Sequence, residues 1–380
     1  MLETPDWLRA ANGRSPSPKL ARVALGTGIY SEAMDFLQNV PLAPLTTLGV
    51  GGPSRWYAEV HTEEDLRTAI HWAGECRVPI FILGGGSNLV ISDSGWAGLT
   101  LRIALRGIEQ RPGENRELFH AAAGEDWDCI VARAVAANCA GMECLSGIPG
   151  TVGGTPIQNV GAYGQDVSET IVGVRALELA TGEYRILNKA DCGFAYRTSR
   201  FNTVDRGKFI ITLVSFALTP NGEPKIEYAD LKKYFAGRNG PSLSDVRNAV
   251  REIRRKKAML IVEGDEDCHS AGSFFKNPVV DNATYDRIAE QATTKGLVPP
   301  RYPAGDGRVK LAAAWLVEQS GFTKGFTTGR VGISRRHALA IVNRGGATAA
   351  EIVALKDQIQ KRVRDTFGVE LAPEPVFVGF

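Results

Sequence analysis

Two glycine-rich loops constrain this chain more than any other feature. The first, LGGGSN at Leu83 to Asn88, leaves a short apolar stretch, Pro79 to Leu83, that reads as a buried strand. Consecutive glycines expose backbone N–H groups with no side chain in the way, a concavity suited to phosphate oxygens. A simple tight turn is the alternative. The second loop, SGIPGTVGGTPIQNVGAYG at Ser146 to Gly164, lies in an uncharged run from Cys144 to Gln165 that holds six Gly and two Pro. So many helix breakers exclude a membrane helix. A loop this long is either functional or disordered, and Ile148, Val152, Ile157 and Val160 argue against disorder. It reads as a wall laid against a flat cofactor.

What surrounds the loops is ordinary globular protein. At 380 residues, with 44% hydrophobic and 23% charged, the chain is expected to form two or three domains. A formal charge of +2 gives no general pull toward nucleic acid or an anionic membrane, so neither is an expected partner. The six cysteines contain no CxxC pair and are expected to be buried, reduced thiols. With no signal-peptide pattern at the start, a cytoplasmic monomer is the default.

Residues 1–38 read as an extension, poorly ordered around Asn12 to Lys19. Beyond it strands and helices alternate. Trp56, Ala58 and Val60 alternate as in a strand, and Thr62 with Asp65 opens a helix through Leu66, Ala69, Ile70 and Ala73. A second helix is expected over Asp126 to Asn138, with Ile130, Ala134 and Ala137 on one face. LELATGEYRIL reads as a hairpin turning at Thr181-Gly182, and Phe209 to Leu218 as a long strand. A boundary falls near 225–240. After it come a basic helix (Ser244 to Met259), a Pro/Gly-rich stretch (Pro299 to Gly307), a helix over Lys310 to Ser320, and a final helix. That last helix is boxed by Thr348 and Glu351, carries Ile352, Leu355, Ile359, Val363 and Phe367, and stops at Gly368. The fold class is α+β.

Several chemistries are excluded by absence. No GxGxxG follows a strand as a dinucleotide fingerprint requires, and P-loop, GxSxG and HExxH motifs are missing. The five histidines lack metal-ligand spacing, so no metal is expected. One further cluster stands out: SAGSFFKNP, Ser270 to Pro278, gathers a hydroxyl, two aromatics, a lysine and an amide. The basic helix before it (Arg247, Arg251, Arg254, Arg255, Lys256, Lys257) reads as a solvated face or as charge for an anionic substrate.

These segments together resemble the UDP-N-acetylenolpyruvoylglucosamine reductase family. The resemblance is carried by TTLGVGGPSRWYAEV, ILGGGSNLVISD, the long glycine loop, FAYRTSRF, SAGSFFKNPVV, RYPAGDGRVKLAAAWLVEQSG and LAPEPVFVG, in that order from about residue 44 to 380. It implies a bilobed FAD-binding fold of the vanillyl-alcohol-oxidase type over residues 39–225. A C-terminal α+β substrate-binding domain over 240–380 would follow, its last strand returning to the active site. It implies non-covalent FAD, NADPH as hydride donor, and UDP-N-acetylglucosamine enolpyruvate as the partner molecule. FAD contacts are then expected at Gly84, Gly85, Gly86, Ser87 and Asn88. The second loop adds Gly147, Ile148, Gly150, Gly153, Gly154, Gln158, Asn159, Gly161 and Ala162. Arg197, Ser273 and Glu374 fall at the catalytic positions. Tyr228, Lys257, Lys276, Asn277, Tyr302, Lys310 and His337 fall where the family binds the sugar nucleotide. Tyr228 with the RYPAGDGRVKLAA segment implies the longer subtype, which closes a tyrosine loop over the site. Pro375 and His337 depart from the family pattern.

The implied chemistry explains the residue types. Reducing an enolpyruvyl ether needs a hydride at the terminal carbon and a proton at its neighbour, and negative charge develops toward the carboxylate. Arg197 is expected to meet two carboxylate oxygens at once. Glu374 must be protonated or must polarise Ser273, because a bare carboxylate there would repel the anion. Ser273 is expected to donate the proton, with its alkoxide stabilised by neighbouring cations and dipoles. Two rivals remain: an alcohol oxidase of the same fold, often carrying histidyl-linked flavin, and a non-catalytic sugar-nucleotide binder. Phe81 to Ile91 contains no histidine, and the catalytic trio is complete.

Overall fold

Alternation of a capped helix with parallel strands builds the first lobe. The computed structural model describes residues 20–21, 34–238 and 240–380. Its first sheet runs in the order Leu20–Ala21, Phe36–Pro41, Pro53–Val60, Trp96–Ile103, Ile80–Leu83, with the last three strands parallel. Helix α1 (Glu63–Glu75) makes the crossover. It starts where the sequence puts its capping box: Asp65 N–H donates to Thr62 Oγ1 at 3.0 Å, and the Asp65 carboxylate accepts from Thr62 N–H at 2.8 Å. Leu66, Ala69, Trp72 and Ala73 go to the core.

The second lobe is an antiparallel sheet: Tyr184–Asn188, Ile171–Glu178, Phe209–Pro220, Glu117–Ala122, Ile108–Pro112. Helix α2 (Trp127–Ala136) packs on it. One hydrophobic cluster, from Phe36 to Leu218, joins both lobes. The long glycine loop crosses between them, held by Trp127 N–H to Gly150 O (3.1 Å) and Gly153 N–H to Ala123 O (2.9 Å).

Beyond Pro220 lie α3 (Ala229–Tyr234), α4 (Leu243–Lys256), α5 (Asn282–Thr293), α6 (Ala313–Gln319) and α7 (Ala349–Phe367), with two three-stranded sheets. A second core forms here and takes in Leu48, Val50 and Val90 from the first half. Helix α7 keeps its Thr348–Glu351 box and ends at Gly368, φ 68°, the left-handed conformation that glycine adopts without strain. Asp93, from the first half, accepts from Ala349 and Ala350 N–H at 2.7 and 2.9 Å at the same terminus. The final strand, Val376–Val378, pairs parallel with Leu89–Ile91 just past the first glycine loop.

Several expectations need correction. Phe36 is not in a loose extension: it is 1% exposed, opens the strand Phe36–Pro41 and stacks on Trp72 with centroids 4.2 Å apart. Asn12 to Lys19 lie outside the described residues. The buried face of α2 is Trp127, Ile130, Val131 and Ala134; Ala137 caps the helix and is exposed, since the turn ends one residue earlier. The segment Lys310 to Ser320 is split, with Val309–Leu311 a strand paired to Arg301–Pro303 and the helix starting only at Ala313. Cys76, just past α1, and Cys129 on α2 are exposed, whereas the other four cysteines are buried and all six are free. None of the described helices is long and apolar enough to cross a membrane.

Candidate active site

The two glycine loops touch, and their glycines are where they touch. A Cβ on Gly85 would lie 2.6 Å from Gly150 Cα, and one on Gly84 2.8 Å from Thr151 Oγ1. Gly86 turns at φ 65°, and its Cβ would lie 1.9 Å from Leu45 O. Ser87 Oγ donates to Pro149 O at 2.9 Å, and Asn88 Nδ2 donates to Gln158 Oε1 at 3.0 Å, sewing one loop to the other. Asn159 is buried and spends its amide inside the protein, donating to Ala195 O and accepting from Ser168 N–H. Most of the expected cofactor residues are thus brought together, several of them bonded to each other. Gly154 is different. It has an ordinary φ, it is exposed, and a Cβ there would meet nothing within 4 Å, so folding does not demand glycine at this position. Such a glycine ledge, with bare backbone at the loop surface, leaves room for a planar ring system to approach, and the loops fit FAD.

A second set of side chains converges beside the ledge. Arg197 sits at φ 53° on a tight turn bridged by Ala195 and Thr198. Its Nε lies 2.9 Å from Glu374 Oε1. Nη1 donates to Asp166 Oδ1 (3.3 Å) and Asn159 O (3.4 Å), and Nη2 donates to Gly161 O. Much of its donor set therefore has protein acceptors. Ser273 is carried to the same corner by main-chain pairing. Glu374 N–H donates to Phe274 O and Lys276 N–H to Ala372 O, both at 2.9 Å, while Asn88 Nδ2 reaches Glu374 O at 3.1 Å. Ser273 Oγ lies 3.0 Å from His337 Nε2.

The corner shifts its titratable groups. Burial holds the Glu374 carboxyl above the usual carboxylate range, with Arg197 and Lys276 pulling back against it. Burial also pushes His337 down to about 4, helped by the Lys257, Lys324 and Arg254 cations, so its imidazole is neutral near pH 7. A neutral histidine against a serine hydroxyl and a proton-prone carboxyl beside an arginine can hold and move a proton within one site.

Comparison with known proteins decides the family. Residues 54–188 match the FAD binding domain, and residues 264–378 match the C-terminal domain of UDP-N-acetylenolpyruvoylglucosamine reductase. The reductase of that name from Thermobifida fusca is 44% identical over 351 residues, covering 90% of this chain and 98% of its own. The Streptomyces avermitilis reductase is 43% identical over 351 residues, 90% and 95% of the two chains. The chain belongs to the UDP-N-acetylenolpyruvoylglucosamine reductase family. A crystal structure of the Thermus caldophilus member, 24% identical, aligns over 90% of this chain and 98% of that one with TM-score 0.60, which supports the shared fold. The chain is a flavin-dependent oxidoreductase of bilobed FAD-binding architecture, with FAD as its cofactor.

The family's nucleotide-binding positions are grouped more loosely. Lys257 Nζ is bonded to Asp230 at 2.5 Å, and Tyr228 packs edge-on against Tyr163, centroids 5.4 Å apart. Tyr302 and Lys310 are paired across two strands, and Lys310 Nζ lies 4.7 Å from the Tyr196 ring centroid. Lys276 Nζ donates to Arg197 O at 3.3 Å. Asn277 Oδ1 accepts from Ala313 N–H at 2.9 Å and so opens α6. The basic helix is corrected as well. Arg247 and Arg251 of α4 grip Asp128, which also accepts from Gly147 N–H at 2.6 Å. Arg254, 5% exposed, donates to Gly147 O at 3.0 Å. These arginines brace the second glycine loop and are not a solvated face. Sequence reading missed Tyr163, Asp166, Tyr196 and Asp230, although the first three lie inside or beside the quoted motifs.

Proposed function

We propose that the chain reduces UDP-N-acetylenolpyruvoylglucosamine to UDP-N-acetylmuramate with NADPH through non-covalent FAD, supplying a cytoplasmic precursor of peptidoglycan. The observation that carries this reading is the juxtaposition of Arg197, Ser273 and Glu374 at the edge of the glycine ledge. In this reading residues 39–225 hold the cofactor and 240–380 the sugar nucleotide, with Val376–Val378 crossing back. Bound there, the flavin supplies hydride taken from the nicotinamide.

The protein's own share is electrostatic and protic. Arg197 and Lys276 stabilise the charge that develops toward the substrate carboxylate. Ser273 holds the proton for the adjacent carbon. For its O–H to point at substrate, His337 must carry hydrogen on Nε2 and donate to Oγ, which also stabilises the alkoxide left behind. The neutral state of His337 gives it that single, orientable hydrogen. Glu374, kept prone to protonation by burial, avoids repelling the anion. Tyr228, Lys257, Asn277, Tyr302 and Lys310 take the sugar nucleotide.

The purified protein is expected to be yellow and to release free FAD on acid denaturation. NADPH should bleach it anaerobically, and the enolpyruvyl sugar nucleotide should restore the colour. A colourless protein that takes up no FAD, or reduced enzyme reoxidised only by oxygen, overturns the proposal.

A further inference from the structure

We infer that Asp166 is a positioning residue that balances the Arg197 guanidinium and so leaves Glu374 free to carry a proton, an inference that rests on the reduction proposed above. One cation lies between two carboxylates. Nε faces Glu374 at 2.9 Å and Nη1 faces Asp166 at 3.3 Å. The two acids differ in access to water: the Glu374 side chain is 15% exposed, the Asp166 side chain 44%. Burial penalises the charged form, so Glu374, the drier of the two acids, is the one that can stay neutral.

The backbone is shaped around this pair. A Cβ on Gly161 would fall 1.7 Å from Asp166 Oδ1 and 2.8 Å from Arg197 Nη1, so the carboxylate–guanidinium contact is laid across a bare Cα. Gly161 O in turn accepts from Nη2. The left-handed Arg197 backbone and the paired strands Gly161–Ala162 and Gln165–Asp166 fix both partners. The charged and titratable groups that face Glu374 itself are Arg197, Lys276 and Tyr196. Of these, Arg197 is the one whose charge Asp166 shares. Without Asp166 the full guanidinium charge would fall on Glu374, and the carboxyl would ionise more readily.

A purely local role for Asp166 is the competing explanation, since it forms a capping box with Glu169 where the turn Val167–Glu169 begins: its side chain accepts from Glu169 N–H, and its own N–H donates to the Glu169 carboxylate at 3.0 Å. Asp166→Asn keeps the N–H contact and a side-chain oxygen for the cap while removing the charge. The Glu374 carboxyl is followed by infrared difference spectroscopy in the oxidised holoenzyme, its band assigned by its loss in Glu374→Gln. The expected result is a titration midpoint lower by about one pH unit in Asp166→Asn, or about tenfold in proton affinity. Asp166→Glu should restore the midpoint, with the melting temperature close to wild type in both. In stopped flow the pH profile of reoxidation by the enolpyruvyl sugar nucleotide should move with the midpoint, while bleaching by NADPH does not. An unmoved midpoint, or no protonated Glu374 above the ordinary carboxylate range in wild type, overturns the inference. A midpoint that moves in an enzyme never reoxidised by the enolpyruvyl sugar nucleotide supports Asp166's role and overturns the functional reading alone.

Discussion

The glycine ledge and the Ser273–Glu374 corner adjoin, yet they are built by opposite means. The ledge is defined by atoms that are missing: Gly85 and Gly86 let two loops and Leu45 approach closely, and no charged side chain occurs between Cys144 and Gln165. The corner is defined by charges and protons held out of water: Arg197, Glu374, His337 and Ser273, drawn from segments far apart in sequence. Shape fails through steric contact and costs binding. Buried charge fails through proton and field changes and costs turnover. Substitutions in the two regions should therefore be separable in the two half-reactions.

The largest separation is expected at the corner. Ser273→Ala should bind FAD and be bleached by NADPH at close to the normal rate, because the hydroxyl has no part in that step. Reoxidation by the enolpyruvyl sugar nucleotide should slow by about 10²–10⁴-fold, the scale of a lost positioned acid. Single-turnover absorbance reads each step alone. Equal slowing of both steps would make Ser273 structural; no slowing would move the proton to another group, with Glu374 next to test.

The ledge should fail differently. Gly86→Ala places a side chain at φ 65° and at 1.9 Å from Leu45 O, so the loop must shift. FAD affinity of the apoprotein should fall by about 10²-fold, which corresponds to roughly 3 kcal/mol. Gly154→Ala sharpens the comparison, since its Cβ meets nothing within 4 Å. Apoprotein stability should be unchanged there, while FAD binds more weakly. Unchanged FAD affinity in Gly154→Ala would place the cofactor's ring elsewhere.

This difference also explains what was legible in the sequence. A loop needing several glycines in one short stretch announces itself, and so do the capping boxes of α1 and α7, because cap and acid lie three residues apart. The contact of Ser87 with Pro149, or of Phe274 with Glu374, spans distant segments and leaves no local periodicity to read. Arg254 looked like part of a solvated basic face because its composition matches one, and only the fold turns it toward Gly147. Asp166 leaves no signal in the sequence for a related reason: its partner Arg197 is brought to it by the fold and not by spacing.

A smaller effect separates the regions by pH. His337 is held at about 4 in the folded chain against about 6.5 in an unfolded one. Between those values the unfolded state binds more protons, so stability is present above about 6.5, lost as pH falls toward 4, and flat below. With allowance for the partial exposure of His337, the loss should be on the order of 2 kcal/mol. Urea denaturation at pH 7 and pH 4.5 measures it, and His337→Gln should show a correspondingly smaller loss. An identical loss in the variant would assign the slope to other groups. Nothing comparable is expected from substitutions confined to the uncharged ledge.

The smallest effect is expected from removing the segment ahead of Phe36. Among the described residues, deleting 1–35 removes the pairing of Leu20 with Leu37 and of Ala21 with Phe36 at the edge of a sheet, and Met34, which packs on the first core. It spares Phe36, which stays in the core against Trp72, and it spares the strand pairing of Phe36–Pro41 with Pro53–Val60. Losing these contacts costs about 1 kcal/mol, or about one degree in Tm for a chain of this length. FAD affinity and both half-reactions should stay within a few-fold of the full chain. The new edge has Pro41 at its end, which limits pairing with a second molecule. Collapse of flavin binding in the shortened chain would mean that the ledge depends on the first sheet's outer edge, and the separation of shape from charge would have to be redrawn to include it.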